Sequence, residues 1–241
     1  VAFSVLVLLI YLIGIAILLS LAVNDSRHVS AVEFFFSIMP FILTIDFFVR
    51  FMAQQTPSQI IKPYCLLPIP IQKCINGFVF SSLSSGGNLI WFCLIIPYTL
   101  MSVVFGYGII TTLMFWAFSY ILILVNSQYY AIMRTLVNVR FIFWLIPLSI
   151  YAVVFAPLYL GNNAGFDSFA DFYGQVGTAI ERHSALPIIG AAAFLYTITW
   201  ANSRIQRMFV LKELTNSEQT KIKHVLALSF LNRYGEVGTF I

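Results

Sequence analysis

Charged residues are scarce in this sequence: Asp, Glu, Lys and Arg make up 9% of the 241 residues. A soluble domain carries roughly 25% charged residues. Hydrophobic residues account for 60% of the chain, and the mean hydropathy is +0.92. The composition therefore excludes an ordinary soluble domain and predicts an integral membrane protein.

Signatures of catalysis and of metal binding are missing as well. The sequence contains no G-x-x-x-x-G-K-[ST] phosphate loop, no H-E-x-x-H zinc motif and no G-x-S-x-G nucleophile motif. Its three histidines, His28, His183 and His224, fall in separate predicted loops. We expect no enzymatic activity, no cofactor or metal bound by this chain, and no nucleic-acid partner.

Six apolar runs are long enough to cross a bilayer, which takes about 20 helical residues. They occupy residues 3–23, 31–52, 75–104, 109–133, 141–160 and 186–203. The predicted fold is therefore all-α, a polytopic bundle of six transmembrane helices.

The basic residues are distributed unevenly between alternate connections. Assigning those after the second, fourth and sixth apolar runs to the cytoplasm places eleven of the thirteen Lys and Arg residues inside. Both termini are then cytoplasmic. The loop 161–184 becomes external, and its apolar stripe predicts an amphipathic helix on or in the outer leaflet. Residues 204–241 are predicted to form a cytoplasmic helical linker or tail that breaks at Thr215–Ser217 and contacts anionic lipid.

The cytoplasmic segment 53–74 has an amphipathic pattern. From Pro57 to Leu67 its apolar residues recur at helical spacing, which predicts a short helix along the membrane surface. The following Leu67-Pro68-Ile69-Pro70 should be extended, because a residue before proline avoids the helical conformation. The residues alone leave two interpretations open: a loop that dips into lipid headgroups, or a surface for a soluble partner.

Asp46 and Arg50 are four residues apart near the cytoplasmic end of the second run, so they lie on one face of a helix. Ionisable groups at that depth are costly unless they are paired. Two interpretations follow: a structural ion pair that fixes the helix end, or a role in coupling or transport.

The third apolar run is longer than a simple span, because a helix from Lys73 to Val104 would be about 45 Å long. A cluster of small polar residues lies in its middle and includes Ser81, Ser84, Ser85 and Asn88. Such residues allow close helix packing, and they could equally line a water-filled path.

Several short motifs resemble the permease subunits of type-2 ABC exporters, and more narrowly a bacterial family of larger permease-like proteins. They are Asp46-Phe47, Arg50, Pro57, Pro63-Tyr64, Leu67-Pro68-Ile69, Asn88 and the terminal Phe230-Leu231-Asn232-Arg233-Tyr234-Gly235-Glu236. The resemblance implies a type-2 ABC exporter-like bundle in the bacterial inner membrane. It also implies that a second permease half or a second copy completes the transporter.

In that family the amphipathic segment is a coupling helix, which sits in a cleft of a cytoplasmic ATPase. The resemblance therefore implies that ATP binds to a partner ATPase. The residues expected to contact this partner are Pro57, Ile60, Lys62, Tyr64, Leu66, Leu67, Pro68, Ile69 and Lys73. Tyr64, Leu66 and Leu67 are the expected anchors, and Lys62 and Lys73 are the expected charges at the rim.

Two other functions are compatible with the residues. An ion-coupled secondary transporter would use Asp46 to bind the coupling ion, and a non-transporting subunit would anchor a larger envelope assembly. The substrate is not readable, because no charged or aromatic cage in the apolar runs indicates one class.

Overall fold

The computed structural model describes residues 2–25, 30–53, 61, 68–160 and 165–226. Within these ranges every regular element is a helix and no strand occurs, which confirms the all-α prediction. The helices are α1 (Ala2–Asp25), α2 (Ala31–Ala53), α3 (Ile71–Leu83), α4 (Gly86–Leu89), α5 (Phe92–Ser102), α6 (Val104–Val139), α7 (Leu145–Val154), α8 (Pro157–Leu160), α9 (Phe166–Glu181) and α10 (Leu186–Leu226). A 3-10 helix at Phe141–Trp144 precedes α7.

Three helices are long and apolar enough to cross a membrane: Leu6–Asp25, Ala31–Met52 and Gly106–Val139. Two further pairs of helices have that length only when each pair is taken as one bent span. The described part of the chain therefore supplies three spans, or up to five when both bent pairs count. The sequence predicts six.

The two bent pairs differ in the angle between their helices. Ile71–Leu89 and Phe92–Ser102 are bent by 55° at residues 90–91, and a second interruption lies at 84–85, so the predicted third span 75–104 is not one continuous helix. Phe166–Glu181 and Leu186–Phe209 are bent by 110°, so α9 folds back from the direction of α10.

The predicted fifth span, 141–160, is not one helix. The 3-10 helix leads into α7, a turn follows at residues 155–156, and α8 begins at Pro157. Proline has no backbone N–H, so Pro157 cannot extend the hydrogen bonds of α7 but suits the start of a new helix. Because Phe141–Val154 is a short apolar helix, it does not by itself cover a hydrocarbon core of about 30 Å.

The predicted sixth span, 186–203, is the first part of a much longer helix. α10 has 41 residues and passes through 215–217 without the predicted break. A Thr-Asn-Ser sequence is a good helix start, but it does not interrupt a helix that is already established. At 1.5 Å per residue α10 is about 60 Å long, so a membrane covers only part of it. The remainder of the predicted tail, 227–241, lies outside the described residues.

Helix α9 is the amphipathic helix predicted between the fifth and sixth runs, and it packs on the N-terminal half of α2. Ser37 Oγ donates to the Ala170 carbonyl (2.9 Å). A Cβ atom added to Gly177 would lie 2.6 Å from Glu33 Cα, and one added to Gly174 would lie 3.3 Å from Ser37 Oγ. The two backbones therefore approach as closely as glycine permits, and this face of α9 contacts protein.

Aromatic rings fill the space between the N-terminal half of α2, α5 and α6. The Phe35 ring centroid lies 4.7 Å from that of Phe115 and 5.0 Å from that of Tyr98. All three side chains are buried, and the Tyr98 hydroxyl donates to the Ala31 carbonyl (2.6 Å). This cluster fixes the first turn of α2 against α5.

Candidate functional site: a buried ion pair beside a broken helix

The structure brings Asp46 and Arg50 into direct contact near the C-terminal end of α2. Nε of Arg50 lies 2.8 Å from both carboxylate oxygens of Asp46. Asp46 is 5% exposed and Arg50 is 4% exposed. The two residues form the ion pair that their spacing predicts, and they form it away from solvent.

Two further donors complete the surroundings of the Asp46 carboxylate. Trp91 Nε1 donates to Oδ1 (2.7 Å), and Asn126 Nδ2 donates to Oδ2 (2.7 Å). Asn126 also donates to the Leu43 carbonyl (2.9 Å), so it ties α6 to α2. A buried carboxylate is tolerated when an opposite charge and hydrogen bonds replace the water that it lost, and here both are present.

The third helix breaks beside this pair. α3 ends at Leu83, the backbone of Ser85 is extended (φ −66°, ψ 145°), and α4 begins at Gly86. A break leaves backbone carbonyls without helical partners, which is costly inside a membrane unless side chains or water satisfy them.

Side chains satisfy the carbonyls at this break. Arg50 Nη2 donates to the Gly87 carbonyl (2.8 Å). Asn88 Nδ2 donates to the carbonyls of Ser82 (2.9 Å) and Leu83 (2.8 Å), which are the last residues of α3. Arg50 thus has two roles. Its guanidinium neutralises Asp46, and it also donates a hydrogen bond to a backbone carbonyl just beyond the break.

The structure places the cluster of small polar residues at the break in the third run. Ser84 and Ser85 lie in the break, and Ser81 and Ser84 are exposed on the surface of the chain. Asn88 is fully buried and caps α3. Adjacent serines and glycines are weak helix formers, because serine competes for backbone hydrogen bonds and glycine has high backbone entropy.

A chain of amide side chains extends from the break toward α10. Gln128 Nε2 donates to Ser82 Oγ (2.9 Å), and Asn202 Nδ2 donates to Gln128 Oε1 (2.7 Å). Gln206 Nε2 donates to Thr135 Oγ1 (2.7 Å) and to Asn202 Oδ1 (3.2 Å). The three amide residues are fully buried, so the polar interior connects α3, α6 and α10.

The two halves of the broken helix contact different neighbours. In α3, Gln72 Nε2 donates to Ser203 Oγ of α10 (3.3 Å). In α5, the Ser102 hydroxyl contacts the Ser20 hydroxyl of α1. The break is therefore the point where the third run passes from one group of helices to another.

Most of this polar interior is not among the residues predicted from the sequence. Its members beyond Asp46, Arg50 and Asn88 include Trp91, Asn126, Gln128, Asn202 and Gln206. The available signal was the presence of amides inside an apolar run, such as Asn126 and Gln128 in 109–133, since such groups in a membrane face protein and find partners.

The cytoplasmic segment is described only in part. Ile61 is 1% exposed and packs with Ile75 and Val79 of α3. Of the residues expected to contact an ATPase, Pro68, Ile69 and Lys73 are exposed at the start of α3. The others lie outside the described residues: Pro57, Ile60, Lys62, Tyr64, Leu66 and Leu67.

The ion pair is charge-balanced and closed by its hydrogen bonds, and it joins α2, the broken helix and α6. Within the described ranges no group of three His, Cys, Asp or Glu side chains is placed to hold a metal ion.

Fold and site together define an all-helical protein with several helices that could cross a membrane and a charged network at a broken helix. Residues 1–241 match the family of unknown function DUF5687, and the chain belongs to that family. No curated protein matches the chain. No solved structure matches it.

Proposed function

We propose that the chain is a permease subunit, or half of one, of an ATP-driven exporter in the bacterial inner membrane. A separate cytoplasmic ATPase binds ATP and acts on the segment 57–73. The observation that carries this proposal is the position of Ile61, whose side chain packs against Ile75 and Val79 of α3. The segment is thereby attached to the helix that leads directly to the break.

A path for force follows from these contacts. In the chain, the segment follows α2 and includes the first residues of α3. Arg50 contacts both Asp46 in α2 and the Gly87 carbonyl beyond the break. A displacement of the segment would therefore move α3 against a fixed point at the break, which is the kind of discrete rearrangement that couples distant sites.

The proposed topology has six crossings with both termini in the cytoplasm. Ring contacts support the interrupted run 141–160 as the fifth crossing, because it follows α2 in the opposite direction. Trp144 lies 4.6 Å from Phe51, and Phe155 lies 5.0 Å from Phe41, between ring centroids. The run therefore passes from the C-terminal end of α2 toward its N-terminal half.

Cysteine labelling tests this topology. In a chain whose native cysteines are replaced, a cysteine at Ala185, between α9 and α10, should react with a membrane-impermeant reagent from outside. A cysteine at Asn138, at the end of α6, should react only after permeabilisation. Both positions are exposed on the chain, so the reverse pattern would invert the proposed orientation.

A pull-down tests the coupling role. Leu67→Asp should place an unpaired charge in the ATPase cleft, which costs several kcal/mol, so the ATPase should no longer co-purify. The matched control is Val139→Asp, an exposed aliphatic residue at the end of α6, which should retain the ATPase. Retention at the wild-type level by Leu67→Asp would support a loop that only contacts lipid and would refute the coupling role.

We favour the exporter over an ion-coupled secondary transporter because both oxygens of Asp46 already accept hydrogen bonds. A coupling ion at Asp46 would have to displace Arg50, Trp91 or Asn126. The membrane-anchor alternative makes no use of the break, and it predicts that no ATPase co-purifies even with the wild-type chain.

A further inference from the structure

An open groove runs between α3 and the first half of α10. Its volume is about 390 Å³, which is in the range of small-molecule sites. Its walls are mainly apolar and aromatic, and they include Val79, Phe80, Leu83, Leu195, Tyr196 and Trp200. Because Phe80, Tyr196 and Trp200 are more than half exposed, the groove opens to the outer surface of the bundle.

Polar contacts close one end of the groove. Ser203 Oγ donates to Asn76 Oδ1 (2.7 Å), and Gln72 Nε2 donates to the same oxygen (2.9 Å). The guanidinium of Arg204 lies beside this end, 5.3 Å above the Trp200 ring. The ring fixes an exposed cation at the mouth of an apolar groove.

The groove has the length of one membrane leaflet. Its lining on α10 extends from Ser203 to Ala192, a distance of about 16 Å at 1.5 Å per residue. The hydrocarbon core of a bilayer is about 30 Å thick. An acyl chain that starts at the Arg204 end would therefore reach the bilayer centre where the groove ends.

The charge at this end is of one sign. Lys73, Arg204 and Arg207 are exposed, and neither α3 nor residues 186–209 of α10 contain an Asp or Glu. Basic residues between helices at the membrane surface attract anionic headgroups, and a guanidinium binds phosphate oxygens in a bidentate manner.

We propose that this groove is a binding site for an anionic phospholipid. One acyl chain lies between Phe80 and Tyr196, and the phosphate pairs with Arg204. The site does not depend on export or on an ATPase, since every contact belongs to the two helices that form the groove.

The experiment uses the full chain reconstituted in phosphatidylcholine with a trace of phosphatidylglycerol that carries a photoreactive group in its acyl chain. After illumination, peptide mass spectrometry locates the labelled residues. Labelling should concentrate on Phe80, Leu195 and Tyr196, and unlabelled phosphatidylglycerol should compete for it at least about fivefold better than phosphatidylcholine.

Two pairs of variants separate the apolar and the charged contributions. Ala192→Phe fills the groove, whereas Ala193→Phe places the same ring on an exposed position outside it. Only the first should abolish labelling of Phe80. Arg204→Gln should reduce labelling about fivefold, the effect expected of one basic residue near an anionic surface, whereas Arg140→Gln should not change it.

Three outcomes would overturn the proposal. Equal competition by the two lipids would identify an ordinary boundary lipid. Crosslinks between two copies of the chain at Phe80 or Tyr196 would show that a second copy covers the groove. An equal loss of labelling in Ala192→Phe and Ala193→Phe would show that the groove itself is not the site.

Discussion

The two halves of α2 differ in the contacts that hold them. The N-terminal half fits α9 by shape, with Gly177 against Glu33 and rings such as Phe35 packed behind it. The C-terminal half also packs rings, such as Phe47 and Phe51, but it adds the buried ion pair of Asp46 and Arg50. Overpacking should therefore damage the first half, and changes of charge should damage the second most.

The difference also separates a rigid region from one that can rearrange. Close-packed backbones and interlocked rings have one arrangement, because interiors are dense and small displacements lose contact. Hydrogen bonds at a helix break can be exchanged for others, because the backbone groups there have no partner within the helix. If α2 is a fixed support during transport, its N-terminal half provides the anchoring and its C-terminal half meets the moving helix.

The largest effect is expected when the C-terminal half of α2 loses one member of its ion pair. Arg50→Gln should lower the free energy of unfolding by about 3–5 kcal/mol, because it leaves a buried carboxylate unpaired and weakens the bond to the Gly87 carbonyl. Asp46→Asn should also destabilise the protein, but the double change should cost less than the sum of the two. Thermal unfolding in detergent measures all three, with the exposed Arg140→Gln as a control.

Strict additivity of the two substitutions would contradict this expectation. It would mean that Asp46 and Arg50 stabilise the protein through separate neighbours rather than through each other. The stability would then come from the bonds that Trp91 and Asn126 donate to Asp46, and from the bond that Arg50 donates to the Gly87 carbonyl.

Whether the sequence predicts a contact in this region depends on how far apart the two residues are along the chain. Asp46 and Arg50 are on one helical turn, so their pairing follows from local spacing. The break at Ser84–Ser85 coincides with a visible cluster of small polar residues, but such residues equally suit close helix packing. Gln128 and Asn202 are 74 positions apart, and no local pattern relates them.

The differences between the apolar runs and the observed helices have a similar origin. Hydropathy treats 141–160 as one run, because it does not register that Pro157 starts a new helix after the turn at 155–156. It also ends the last span at 203, where the composition changes, although the backbone continues as one helix to Leu226. Composition reports the surroundings of a helix, whereas its length depends on backbone hydrogen bonds.

A smaller effect is expected when an extra atom is added between α9 and the N-terminal half of α2. Gly177→Ala adds a Cβ atom 2.6 Å from Glu33 Cα, so α9 must shift away from α2 at a cost of about 1–3 kcal/mol. Gly190→Ala is the matched control, because its Cβ would meet nothing within 4 Å, and it should leave the melting temperature unchanged or slightly raised. A neutral Gly177→Ala would show that α9 does not sit this close to α2.

The smallest effect is expected in the amide chain, where the hydrogen bonds are neutral. Membrane-buried hydrogen bonds between uncharged side chains average about 0.6 kcal/mol in double-mutant cycles, with a maximum near 1.7. A cycle of Gln128→Ala and Asn202→Ala should therefore give a coupling energy on the order of 0.6 kcal/mol, well below the coupling of Asp46 with Arg50.

Thr197→Ala is a suitable control, because its hydroxyl is exposed and bonds within its own helix to the Phe194 carbonyl. Unfolding of each variant by denaturing detergent supplies the four energies. A coupling as large as that of the ion pair would mean that Gln128 and Asn202 hold α6 and α10 together as firmly as Arg50 holds the break, and the contact between α6 and α10 would then belong to the rigid parts of the molecule.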